Sequence, residues 1–460
     1  MQTGDTIVAI STATGQGALG VLRLSGPEAI GLADRIFSKQ ILDAPGHSLH
    51  FGRILRDGEV LDEVLLSVFR APRSFTREDV VEISCHGSPY ILRSVLQLLV
   101  DAGARPALPG EFTQRAYLHG ALDLAQAEAV ADLIAARSEA AHRLAMNQLR
   151  GGVSRDLQQL RQQLLDFTAL IELELDFGEE DVAFADRSQL AALVASMQAH
   201  LDGLISSFRL GNALKQGVPT VILGKPNAGK STLLNALLNE NRAIVSDIPG
   251  TTRDMIEDRL MIGGIEFRLM DTAGVRETED LIEAEGVSRS LDLARRAQVL
   301  IYLFDAAIET PALAQAYVQH LALPPDTAVV LVGNKFDQID DPQAYEQAHD
   351  VPGLRYPWFG ISARTGSHLP ALKAWMVEAV EDLGSSAPEQ AIISNARHLA
   401  ALQQARRALD EVARGLHEGL SGDLLSIDLR SVVHHIGEIT GEISNDEVLG
   451  HIFGKFCIGK

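Results

Sequence analysis

Sulfur chemistry is nearly absent from this chain: its 460 residues include two cysteines, Cys85 and Cys457, too few for a disulfide framework or a zinc site of their own. No segment is both long and apolar enough to span a bilayer, and Met1-Gln2-Thr3-Gly4-Asp5 offers neither a basic n-region nor an apolar h-region. A cytoplasmic protein with no membrane association is the expectation. Positive charge is also short, with Lys+Arg 40 against Asp+Glu 61 and a net charge of -21, which argues against broad electrostatic binding of nucleic acid. Any RNA contact must use a local patch or a partner. The deficit is uneven: residues 1–120 carry 11 basic and 13 acidic residues, 217–382 carry 14 and 24, and the remainder 15 and 24. The N-terminal region is therefore the surface least repelling to an anion.

What is present points first to a nucleotide. Gly224-Lys225-Pro226-Asn227-Ala228-Gly229-Lys230-Ser231 follows the apolar run Val218 to Leu223 and precedes Leu233, Leu234, Leu237 and Leu238 at helical spacing, so the motif lies between strand and helix. That context lets backbone N–H groups and a helix N-terminus face a polyanion, with Lys230 reaching the outer phosphates and Ser231 able to ligate magnesium. Asn334-Lys335-Phe336-Asp337 follows the buried-strand pattern Val329 to Val332. The Asp337 carboxylate can accept two hydrogen bonds from guanine, whereas adenine would leave it unpaired. GTP is therefore favoured. Asp271-Thr272-Ala273-Gly274 closes the strand-like Ile265 to Met270, placing Asp271 to hold magnesium through water and the Gly274 N–H to meet the γ-phosphate. Ser362-Ala363-Arg364, after Trp358 to Ile361, supplies a further backbone contact to the base.

The rest of the chain divides by pattern. At 460 residues, of which 46% are apolar, about three domains are expected. Residues 1–121 mix strand-like runs (Ile7 to Ile10, Val21 to Leu24, Val64 to Phe69, Val80 to Ser84) with Gly/Pro turns and read as an α+β domain. Residues 122–216 are rich in Ala, Leu, Gln and Glu, without proline, and read as long helices. The α/β nucleotide domain covers 217–382, and 383–460 returns to helix, with Leu399, Leu402, Ala405 and Leu409 on one face. A single discontinuous helical domain with the nucleotide domain inserted is preferred over two unrelated helical domains, since insertion is tolerated at surface sites.

One catalytic part is missing. Many GTPases place a water-orienting Gln directly after DxxG, but here that residue is Val275, which cannot orient water. Two substitutes are available: Asn227, whose amide oxygen could ligate a cation beside the β- and γ-phosphates, and the acidic stretch Glu277, Glu279, Asp280, Glu283 and Glu285.

From end to end the chain resembles the MnmE (TrmE) family of tRNA wobble-uridine modification GTPases. The residues that carry the likeness are Asp5-Thr6-Ile7-Val8-Ala9, Leu22-Arg23-Leu24-Ser25-Gly26, Pro109-Gly110-Glu111-Phe112-Thr113, Leu122-Asp123-Leu124-Ala125-Gln126-Ala127-Glu128-Ala129, Gly250-Thr251-Thr252-Arg253-Asp254 and Phe456-Cys457-Ile458-Gly459-Lys460. The resemblance implies a folate-binding, dimerising N-terminal domain, a helical domain from two segments and an inserted G domain. It also implies a homodimer that joins the FAD-dependent enzyme MnmG in a heterotetramer and installs a carboxymethylaminomethyl-type group on certain tRNAs.

By the same resemblance, GTP contacts come from Asn227, Ala228, Gly229, Lys230, Ser231 and Thr232, and from Ser246, Asp247, Ile248, Pro249, Gly250, Thr251 and Thr252. Asp271, Thr272, Ala273 and Gly274 complete the phosphate side, and Asn334, Lys335, Asp337, Ser362, Ala363 and Arg364 the base side. Potassium, held by Asn227, Ser246, Ile248 and Thr251, would supply the charge other systems draw from an arginine finger; Ser231 and Thr252 would hold magnesium. Glu283, placed by its distance before Gly286, would position water and act with Lys230 in catalysis. A tetrahydrofolate derivative, formyl or methylene, would bind Arg23 and Glu82 near Lys460. Ala121 departs from the family, which often has a basic residue before Leu-Asp-Leu. Cys457 could approach the cofactor as a nucleophile, although a free thiol is more often simply packed, and His86 reads as structural. A ribosome-assembly GTPase is the alternative, but it would append a KH domain or a second G domain, and neither signal is found. A dynamin-like membrane GTPase would need a basic or strongly amphipathic helix that the acidic helical segments do not offer.

Overall fold

The computed structural model describes residues 4–13, 15–176, 187–241, 258–270, 292–349, 353–384, 392–444 and 446–459. They form two compact units: one of residues 1–134, 147–186 and 414–460, the other of 135–146 and 187–413.

The first unit is built on a six-stranded sheet ordered β3-β4-β5-β2-β1-β6. Its strands are β1 (Ile7–Ile10), β2 (Leu19–Ser25), β3 (Ser48–Arg56), β4 (Glu59–Phe69), β5 (Val80–His86) and β6 (Arg105–Pro106), antiparallel except for β1 against β6. Alternation sends Val8, Leu22, Leu24, Leu66, Val81 and Ile83 to one face, where helices Ala29–Ile36 and Pro89–Asp101 bury them. On the other face Ile7 and Ala9 meet Phe112 of helix Glu111–Leu118, while Leu49, Phe51 and Leu65 remain exposed.

Helices complete this unit. In helix Gly152–Asp176, Leu157, Leu164 and Ile171 are fully buried; in helix Gly422–Thr440, so are Leu429, Val432, Ile436 and Ile439. Steps of seven in one helix and of three and four in the other make two matching apolar seams. The helices lie along each other, and Arg430 reaches Glu172 at 2.7 Å. Helix Asp446–Phe453 joins Leu449, Ile452 and Phe453 to Leu124 and Ala127 of helix Leu124–Ala135.

In the second unit the sheet order is β12-β11-β10-β7-β9-β8. The strands are β7 (Val218–Leu223), β8 (Asp258–Ile262), β9 (Ile265–Leu269), β10 (Val299–Asp305), β11 (Ala328–Asn334) and β12 (Trp358–Gly360). All pairs are parallel but β8 with β9. Near-continuous apolar strands such as Val299-Leu300-Ile301-Tyr302-Leu303-Phe304 are buried on both faces, as a helix-covered parallel sheet requires. Helix Lys230–Asn241 contributes Leu233, Leu234 and Leu237 to that core, and helix Leu369–Glu381 contributes Leu372, Met376 and Val380. Helix Arg187–Gln216 is tied to the later segment by Ser207 Oγ accepting from the Ile393 N–H at 3.0 Å and by Arg406 Nε donating to Asp202 at 2.9 Å.

Candidate functional site

The phosphate loop spans the gap between β7 and helix Lys230–Asn241. Asn227 has φ 61° and Gly229 φ 97°, two left-handed residues that turn the chain so that the helix N-terminus faces the loop. A Cβ on Gly224 would overlap the Leu303 carbonyl, and one on Gly229 would overlap Asn334 Nδ2. Lys230 folds over its own loop, Nζ donating to the carbonyls of Gly224 at 2.7 Å and Lys225 at 3.0 Å, and burial pushes its pKa down. Asn227, Ser231 and Thr232 are exposed beside it.

Asn334 closes β11 and is 3% exposed. Its Nδ2 donates to the Ala228 carbonyl at 2.8 Å, and its Oδ1 accepts from the Ala363 N–H at 3.0 Å. A single amide therefore fastens the phosphate loop, the Asn-Lys-Phe-Asp segment and the Ser-Ala-Arg segment to one another. Asp337 lies against Arg364 at 2.6 Å, and the Ser362 hydroxyl, with Arg364, holds its carboxyl below the usual carboxylate range.

Sequence reasoning missed two carboxylates, one closing β10 and one in the turn after it. Asp305 Oδ2 pairs with Lys335 Nζ at 2.6 Å, and Glu309 Oε2 with Lys225 Nζ at 2.9 Å. Glu309 is 5% exposed; the Tyr302 hydroxyl reaches its carboxylate at 3.5 Å and Tyr345 donates to its carbonyl at 3.3 Å. One short turn thus restrains a lysine from each recognition loop; no motif marks it. Ser246, Asp247, Ile248, Pro249, Gly250, Thr251, Thr252, Asp271, Thr272, Ala273, Gly274, Glu283 and Lys460 lie outside the described residues.

In the first unit Arg23 and Glu82 stand directly opposite each other across β2 and β5, with Arg23 Nε donating to Glu82 at 2.8 Å. The guanidinium lies over the Phe75 and Phe112 rings, 5.5 and 5.7 Å from their centroids. Phe112 is held in place by a charged network around its helix. Asp5 receives Arg105 at 2.6 Å and Arg115 at 2.5 Å, Arg115 reaches Glu78 at 3.1 Å, and Arg105 pairs with Glu111 at 2.5 Å. Burial tends to raise the Asp5 and Glu111 pKa values, but hydrogen bonds from Arg105 and Arg115 prevail and hold both below the usual range.

The C-terminal segment runs beside this face. Gly110 N–H donates to the Cys457 carbonyl at 3.4 Å, and Ser11 Oγ to the Gly459 carbonyl at 3.1 Å. Cys457 is exposed, whereas Cys85 is buried and its thiol is pushed up to about 11 by burial and the nearby Asp62. His86 Nδ1 lies 2.7 Å from Asp62, which also accepts the His86 N–H at 2.9 Å, a geometry that pins the end of β5. Ala121 lines a recess of about 530 Å³ together with Arg73, Arg77 and Phe75, so cationic groups border that position without a basic residue in it.

Among the described residues no helix is long and apolar enough to cross a membrane. Residues 6–121 match the GTP-binding protein TrmE N-terminus and residues 124–457 the MnmE helical domain. A tRNA modification GTPase MnmE of Cytophaga hutchinsonii is 50% identical over 458 residues, 99% of this chain and 98% of that protein. The protein of the same name from Christiangramia forsetii is 46% identical over 475 residues, spanning 100% of both chains, and that of Bacteroides fragilis 48% identical over 464 residues, 99% of each. With its phosphate loop, guanine-type Asn-Lys-Phe-Asp segment and full-length similarity together, the chain belongs to the MnmE (TrmE) family of tRNA modification GTPases.

Proposed function

We propose that this chain is a potassium-activated GTPase that works with the FAD-dependent MnmG to add a carboxymethylaminomethyl-type group to the wobble uridine of certain tRNAs. The observation that carries the reading is the phosphate loop itself: Asn227, left-handed and exposed beside Lys230, in a chain with Val275 where a water-orienting Gln would stand. Bound potassium would supply positive charge next to the β- and γ-phosphates, with Asn227, Ser246, Ile248 and Thr251 as its holders. Ser231 and Thr252 would hold magnesium. Lys230 neutralises phosphate oxygens from the loop carbonyls it now occupies, and Glu283 would orient the attacking water. Asp337 reads guanine, with Asn334 fixing the three loops in register.

In the N-terminal domain, assigned to residues 1–121, Arg23 and Glu82 fit a tetrahydrofolate. An arginine held beside two rings can clamp an anionic tail, and the carboxylate can accept from a pterin amino edge. Lys460 would complete the pocket. The exposed Leu49, Phe51 and Leu65 on the same sheet face favour a homodimer through that domain. Residues 122–216 and 383–460 serve as the helical domain and 217–382 as the G domain.

One reconstitution tests the reading. With MnmG, its flavin, a folate and tRNA, hydrolysis is followed by phosphate release and wobble-uridine modification by mass spectrometry, in potassium or sodium chloride at equal ionic strength. Hydrolysis should be fast in potassium only, Asn227→Ala should remove most of that difference with little change in GTP affinity, and modification should follow hydrolysis. Equal rates in the two salts would discard the potassium assignment, and unmodified uridine in the complete wild-type mixture would discard the tRNA reaction.

A further inference from the structure

Helix Gly422–Thr440 carries a cluster that the GTPase and folate readings do not use: His434, His435 and Glu438. At about 100° per residue, His435 lies about 100° around the helix from His434, and Glu438 falls between them at about 40°, one turn further along. The carboxylate is therefore aimed between the two rings. Glu438 Oε1 lies 3.5 Å from His434 Nε2 and Glu438 Oε2 3.1 Å from His435 Nδ1. The imidazoles meet edge to face, 5.4 Å between centroids at 81°. One ligand atom from each residue lies within 4.8 Å of the other two.

We propose that these three residues form a surface site for a divalent transition-metal ion of the zinc, nickel or copper type. Bonds of about 2.0–2.2 Å from nitrogen and carboxylate oxygen to such an ion set ligand atoms roughly 3.3–3.6 Å apart in a tetrahedral arrangement. Small rotations of three partly exposed side chains achieve that from the separations observed. The backbone beneath need not move, because Val432, Val433, Ile436 and Ile439 anchor the opposite face of the helix in the core. Two imidazoles and one carboxylate form a borderline donor set, which selects against magnesium and potassium. The site would not compete for the cations of the nucleotide pocket. Three protein ligands on an exposed surface leave positions for water.

The test uses the full-length protein, free of any histidine tag and stripped with a chelator, titrated with zinc chloride by calorimetry and with cobalt chloride by visible absorption. One equivalent of zinc should bind, and cobalt should give the absorption of a low-coordinate nitrogen and oxygen site. His435→Ala and Glu438→Gln should each weaken zinc binding roughly tenfold or more, with unchanged circular dichroism and unchanged GTP hydrolysis. Magnesium in millimolar excess should not displace the ion. Absence of stoichiometric zinc binding to the wild type would overturn the proposal, as would wild-type affinity in the combined His434→Ala, His435→Ala, Glu438→Gln variant, which would place the ion elsewhere on the chain.

Discussion

Replacing Asn334 with alanine should weaken nucleotide binding far more than the loss of a single base contact would. The side chain satisfies two backbone groups, the Ala228 carbonyl and the Ala363 N–H, on residues 2% and 4% exposed. Leaving a buried polar group unsatisfied costs about 1–3 kcal/mol, so two such groups set an upper range of about 2–6 kcal/mol. The space vacated by the amide admits a water with both partners in reach, which recovers part of that. A net cost of about 2–4 kcal/mol remains, shared between the stability of the fold and the ordering of three loops around a ligand. If half falls on binding, the dissociation constant for GDP rises about 5- to 30-fold. Asn334→Asp is the sharper variant. It is nearly isosteric and keeps an acceptor for the Ala363 N–H, but it turns a second acceptor, now charged, toward the Ala228 carbonyl. It should therefore be at least as damaging as alanine. Equilibrium titration with a fluorescent GDP analogue measures both, and an Asp variant within twofold of wild type would refute the stapling argument.

Asp337→Asn should move base preference from guanine toward xanthine, because an amide can pair with the xanthine ring carbonyl where the carboxylate could not; relative GTP and XTP affinities read it, and an unchanged preference for GTP would count against Asp337. Glu309→Gln should speed GDP release a few-fold, since a half-buried ion pair contributes about 1 kcal/mol, and adding Lys225→Met should bring little further change if the two act as a pair in a double-mutant cycle. Asp5 and Glu111 have depressed folded-state pKa values, so their stabilisation is full above the unfolded values of about 3.9–4.3 and is lost as pH falls through the lower folded ones. Hydrogen-exchange protection of β1 and β2 should decline below about pH 4, and Glu111→Gln should flatten that decline.

Of the proposed nucleotide site, the legible parts are those where chemistry restricts residue type. Gly224 and Gly229 stand where no Cβ fits, and Asp337 is singled out by the guanine edge it is proposed to read, whereas the amide of Asn334 joining three backbone segments emerges only from the fold. The apolar runs Val218 to Leu223 and Val329 to Val332 lie in strands because a doubly covered sheet needs them so. By contrast, Glu309 is one acidic residue in an acidic chain, and only the fold brings it to Lys225 across 84 positions of sequence. The network of Asp5, Arg105, Glu111 and Arg115 is likewise assembled by strand β1 pairing with β6, which periodicity cannot foresee. Arg23 and Glu82 are named through family likeness alone; Phe112 appears only as part of a family motif and Phe75 not at all, so the ring contacts to the guanidinium come from the fold.

The contact between Arg364 and Asp337 bears on how the proposed base readout discriminates. In this structure Asp337 already has a cationic partner at 2.6 Å, and Arg364 is largely exposed. A base that engages Asp337 must first displace that solvent-screened partner. Guanine presents two N–H donors to the carboxylate and can do so. Adenine presents an acceptor where a donor is needed, and would leave Asp337 better satisfied by Arg364 than by the ligand. The arginine then acts as an internal competitor: it lowers the net gain from the cognate base and keeps Asp337 paired when a non-cognate base binds. It therefore narrows the margin between the two, and Arg364→Ala should widen the preference for guanine over adenine, read as the ratio of GTP to ATP affinities; an unchanged ratio would count against the competition.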